Sequence, residues 1–113
     1  MSLITNFILH LSDEEFWPED DSGEMLESCP GLDAVNSWLE KNHHSRFVSL
    51  VEPTFDDSAG YGLNVFVYGC GVNHLPVEDL WDLIVKQDWK DLDNLQLFYK
   101  VEGDERFSVL EFE

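Results

Sequence analysis

Apolar residues in this chain recur with two different periods, and the order in which the periods alternate is what most restricts the fold. Between residues 3 and 11 the period is two. Leu3, Thr5, Phe7, Leu9 and Leu11 fall on one face and Ile4, Asn6, Ile8 and His10 on the other, as in a strand with one face buried. Cys29-Pro30-Gly31 breaks the chain, and Leu32, Val35, Trp38 and Leu39 then share one helical stripe that closes at Asn42-His43-His44. Alternation returns at residues 46–52 and 63–68, separated by a run of turn-forming residues, which reads as a long-looped hairpin whose second strand ends at Gly69, Gly71 and Asn73. Pro76 suits the first turn of a second helix. There Val77, Leu80, Trp81 and Ile84 take the spacing of a core-facing stripe, fading near Asp88-Trp89. Residues 95–101 and 107–112 alternate on either side of Glu102-Gly103-Asp104-Glu105, a terminal hairpin.

The resulting order, β-α-β-β-α-β-β, predicts an α+β fold: a mostly antiparallel sheet with two helices packed on one face. At 113 residues, with no repeat or linker, the chain reads as a single domain over residues 1–113. Hydrophobic residues make up 43% and aromatics 13%, too much apolar mass for a disordered acidic tail.

Charge narrows the function classes. Asp and Glu number 24 against six Lys and Arg, a net −18 at pH 7. Such a balance fits a halophilic surface or a positively charged partner. It argues against direct binding of nucleic acid or of an anionic membrane, both of which require basic residues. No stretch reaches the roughly 20 apolar residues of a membrane span. The first six residues carry no Lys or Arg and do not read as a secretory signal. With two cysteines, Cys29 and Cys70, a reduced cytoplasmic protein is the default.

Catalytic and metal signals are sparse. No nucleophile elbow, phosphate loop or dinucleotide fingerprint occurs, and Tyr68-Gly69-Cys70-Gly71 fits none of them. Cys70 and His74 have a spacing that zinc tolerates, but the paired close spacings of structural zinc sites are missing. Both cysteines read as small hydrophobes, and His43-His44 as the close of the first helix. The chain therefore reads as a non-enzyme with no cofactor and no metal site. A deep pocket containing His74 or Cys70 would revive an enzymatic or small-ligand reading.

The densest acidity runs from residue 13 to 27, where eight of fifteen residues are acidic and none is basic. Ser12 followed by Glu15 suggests a capped helical turn at its start. Phe16, Trp17 and Met25 interleave with the acids, the mixture of anchor and charge that interfaces favour. No Lys or Arg falls in residues 1–40 or 47–85. The residues expected to meet a basic partner are Glu14, Glu15, Trp17, Glu19, Asp20 and Asp21, joined by Asp56 and Asp57 from the loop between the middle strands.

Gly71-Val72-Asn73-His74, the amphipathic helix after it, Leu95-Gln96-Leu97-Phe98-Tyr99 and Phe107-Ser108-Val109 together resemble the carboxyl half of certain immunity proteins. These are the small proteins that bacteria carry against polymorphic and contact-dependent toxins. The resemblance implies a cytosolic inhibitor that blocks a basic toxin domain, often a nuclease, by forming a tight heterodimer. A second expectation from the acidity is a DNA mimic of phage or mobile-element origin, acting on a DNA-binding enzyme. A mimic should present carboxylates in two rows at phosphate-like spacing, whereas an inhibitor should gather them around aromatic anchors.

Overall fold

The computed structural model describes residues 4–16, 26, 29–50 and 66–111. The elements are β1 (Ile4–Leu11), a 3-10 turn (Asp13–Phe16), α1 (Pro30–His43), β2 (Val48–Ser49) and β3 (Phe66–Asn73). They continue with α2 (Val77–Val85), a second 3-10 turn (Leu92–Asn94), β4 (Gln96–Val101) and β5 (Ser108–Glu111). The five strands form one antiparallel sheet in the order β2-β3-β1-β4-β5. The expected α+β order therefore holds. The first strand lies at the centre, flanked by the two hairpins.

Strand pleat divides the sheet into two faces. On the inner face a row runs Ser49, Tyr68, Leu9, Leu97, Leu110 across all five strands. Thr5, Phe7 and Leu11 extend it along β1 and are buried, as the period of two requires. Leu32, Val35 and Leu39 of α1 and Leu80 and Ile84 of α2 join Phe7, Leu9, Leu97 and Tyr68 in one core, so both helices cover this face. Full burial of each such side chain is worth roughly 1.5–3 kcal/mol.

Several boundaries differ from the sequence reading: Arg46, Phe47 and Leu50 lie outside β2, and α2 ends at Val85 rather than near Asp88-Trp89. Gly69 and Gly71 do not end the third strand. They lie inside β3, which pairs with β1 from Phe66–Leu11 to Asn73–Ile4 without interruption. Here the ladder with a central strand overrides the usual cost of glycine in a strand. Leu50 also lies over Gly69, where an added Cβ would come within 2.8 Å of Leu50 Cδ1. Pro30 and Gly31 likewise belong to the helix rather than to a break before it. Pro30 takes the first turn, where its missing N–H is not needed. Gly31 lets α1 approach the Trp89 ring, 2.7 Å from where a Cβ would stand.

Local polar contacts complete the frame. Asn36 is buried on α1 and clamps the entry to β2: its Oδ1 accepts the Phe47 N–H at 2.7 Å and its Nδ2 donates to the Phe47 carbonyl at 3.3 Å. His44 adopts φ 52° at the end of α1, and its N–H donates to the Leu39 carbonyl. The adjacent histidines thus close the helix as expected. Gly103, at φ 100°, makes the turn between β4 and β5.

Candidate functional site

The acidic stretch begins where β1 leaves the sheet. The Ser12 hydroxyl accepts the Glu14 N–H at 3.2 Å and the Ser12 carbonyl accepts the Glu15 N–H at 3.2 Å, so serine caps the 3-10 turn. Glu14 is exposed. Glu15 is not: it is 3% exposed, and this corrects its assignment to a contact surface. Its carboxylate accepts the backbone N–H of Lys90 at 3.0 Å and of Asp91 at 2.8 Å. One carboxylate answers both backbone donors at once. Glu15 thereby ties the exit of β1 to the connection between α2 and β4.

Phe16 turns inward as well. It is 1% exposed and stacks on Phe66 with ring centroids 4.5 Å apart, and on Tyr68 at 6.1 Å. The Leu26 N–H donates to the Phe16 carbonyl at 2.7 Å, joining the described ends of the acidic stretch. Trp17, Glu19, Asp20, Asp21, Asp56 and Asp57 lie outside the described residues.

The sequence reading missed a second acidic surface, on the helices. Glu78, Asp79 and Asp82 of α2 are exposed, as are Asp88 and Asp93 further along the chain. Between α1 and α2 a groove of about 300 Å³ is lined by Trp38, Leu83, Asp79, Asp82 and Lys86. Trp38 and Leu83 are partly buried against the core and line the groove beside the carboxylates of Asp79 and Asp82 and the ammonium of Lys86. The Trp38 ring is held by His43, centroids 5.1 Å apart. The stripe that predicts α2 marks Leu80 and Ile84 as its inner side, so the exposed acids follow from the same pattern. What the pattern lacks is the partner helix that turns them into a groove. Arg46 and Glu40 form a surface pair at 3.4 Å, with both side chains more than half exposed, and such a pair is worth little.

A cavity of about 470 Å³ lies where α2 starts against the end of the sheet and is lined by His74, Glu78, Thr5, Tyr99, Leu75 and Val101, among others. This is the His74-containing pocket that the enzymatic reading requires, and its volume suits a small ligand. Its chemistry is thin. Among the described residues no hydrogen bond links His74 to Glu78 or Tyr99, so no nucleophile–base pair is assembled there. His74 sits at φ 59°, a conformation that non-glycine residues rarely hold, as the chain turns from β3 into α2. That turn gives the Gly-Val-Asn-His segment a structural use.

The thiols do not supply a nucleophile either. Cys29 and Cys70 are both free. Burial pushes the Cys29 thiol up to about 11, helped by the nearby carboxylates of Glu15 and Asp33. Burial raises Cys70 to about 12, against a smaller opposing effect of its hydrogen bond with Ser45. Thiols raised this far stay protonated and unreactive near neutral pH. Among the described residues no three His, Cys, Asp or Glu side chains are grouped to hold a metal ion, and no helix is long and apolar enough to cross a membrane.

No protein-family model, curated protein or solved structure matches this chain. The immunity-protein resemblance therefore rests on the residues quoted for it.

Proposed function

We propose that this protein is a cytoplasmic acidic inhibitor, of the immunity-protein kind, that binds a basic toxin or nuclease domain and blocks it sterically. The observation that carries the reading is the groove between the helices, where Asp79 and Asp82, with Lys86 beside them, border Trp38 and Leu83. A basic partner would be drawn by the net −18 and fixed by insertion of an apolar or arginine side chain over Trp38. Glu14 and the acids of residues 13–27 would extend the same attraction, while Glu15 holds the fold.

Acids gathered beside an aromatic side chain favour an inhibitor over a DNA mimic, which needs rows of carboxylates rather than an anchor. Capture from source cells at low salt, followed by titration of the recovered protein, tests the proposal. A basic protein should be recovered, and its affinity should fall by about tenfold or more between about 50 mM and about 300 mM NaCl. Recovery of no basic protein, or an affinity that ignores salt, would count against it.

A further inference from the structure

The outer face of the sheet carries a second surface of opposite character. Val48, Gly69, Ile8, Phe98 and Val109 form a row across all five strands, directly beside the inner row but facing away from the helices. Leu50 fills the place above Gly69, so the row is apolar from edge to edge. Six large hydrophobics are exposed among the described residues, and five lie on this face: Ile4, Val48, Leu50, Phe107 and Val109, at 41–52% exposure. Phe107 is placed there by Lys100, whose Nζ sits 5.8 Å from its ring centroid.

The strands present one Lys and one Glu on this face, Lys100 and Glu111, the latter accepting from Gln96 at 2.9 Å, and the exposed Glu102 follows β4 opposite Ile4, its N–H donating to the Ile4 carbonyl at 2.9 Å. In a chain of net −18, this face is close to neutral. A basic partner finds little charge to meet here. A second copy of the chain meets fewer opposing acids here than on the α2 side, where Glu78, Asp79 and Asp82 are exposed. We propose that the outer sheet face is the self-association surface of this protein, with two copies packing sheet against sheet.

The exposed side chains amount to roughly 400 Å² of apolar surface, within the range of the largest patch on a typical monomer, which is often functional. A standard interface buries about 800 Å² per partner. The dimer is accordingly weak and concentration-dependent. Two copies of a −18 chain also repel each other, so screening strengthens this contact, whereas it weakens attraction to a basic partner.

Sedimentation equilibrium from about 10 μM to about 1 mM chain, at about 20 mM and about 0.5 M NaCl, measures the association. The weight-average mass should climb from 13.1 kDa toward twice that value with concentration, and climb further at the higher salt. Val109→Glu and Val48→Glu alter exposed side chains, so circular dichroism should be unchanged while each lowers the association constant by about tenfold or more. Concentration-dependent amide shifts at Ile8, Phe98 and Val109 in the unaltered chain give a readout that needs no variant. A monomer mass throughout overturns the proposal and leaves the face to a partner of other chemistry. Shifts that gather on α1 and α2 overturn it too, by moving self-contact to the helical side.

Discussion

Replacing Glu15 by alanine separates a structural carboxylate from a binding one. The side chain is 3% exposed and accepts two backbone N–H groups, from Lys90 and Asp91, across 75 and 76 residues of sequence. A hydrogen bond to a charged group contributes about 1.5–3 kcal/mol. Two of them, less what water entering the vacated space restores, give a loss of about 2–3 kcal/mol. A chain of 113 residues has an unfolding entropy near ~0.24 kcal/mol/K, so Tm should fall by about 10 °C. Glu15→Gln keeps one acceptor oxygen but turns an NH2 toward the other N–H, and should lose about half as much. Urea unfolding followed by circular dichroism reads both variants against Glu14→Gln, whose side chain is exposed and whose stability should stay within about 0.5 kcal/mol of the parent. A Glu15→Ala protein within about 1 kcal/mol of the parent would refute the reasoning, since two lost charge-assisted bonds cannot cost so little in a buried site.

Gly31→Ala should destabilise by about 1–2 kcal/mol in a urea melt despite the helix propensity of alanine, because its Cβ meets the Trp89 ring at 2.7 Å; Gly69→Ala, which meets only the end of Leu50, should stay within about 0.5 kcal/mol. Stability should also decline above about pH 9. An unfolded thiol ionises near ~8.5, the native thiols only at about 11 and about 12, so the native state keeps protons that the unfolded chain has released; the contribution is full below the unfolded pKa and is lost as pH rises toward the folded values. Tyr68, raised by burial, acts in the same direction, and a urea midpoint unchanged between about pH 8 and about pH 10 would contradict this. His74→Gly should gain about 0.5–1 kcal/mol in thermal unfolding by relieving φ 59°, if the histidine serves the turn alone.

The legible parts of this fold are those where one face of one element decides the residue. β1 reads correctly from its alternation, and the burial of Thr5, Phe7, Leu9 and Leu11 follows it position by position. The stripe Val77, Leu80, Trp81, Ile84 finds α2, and Glu102-Gly103 finds the last turn because Gly103 must hold φ 100°. β3 defeats the reading because glycine usually marks a turn, and only the neighbouring strand and Leu50 reveal why Gly69 stays in the ladder. Glu15 defeats it more thoroughly. In sequence it is one acid among eight, and its donors appear only when the chain has folded back. The groove on Trp38 was hidden for the same reason, since its walls come from two helices that the sequence does not orient relative to each other.

Association kinetics with the proposed basic partner test the central claim most directly. Stopped-flow mixing of that partner with the parent and with the Glu78→Gln, Asp79→Asn, Asp82→Asn triple variant, at about 50 mM and about 300 mM NaCl, compares the on-rates. These three side chains are exposed, so the variant should fold as the parent does. The account predicts an on-rate at least about tenfold lower in the variant at low salt, and a difference that shrinks at high salt as the parent slows. Equal on-rates for the two proteins at both salts would contradict it.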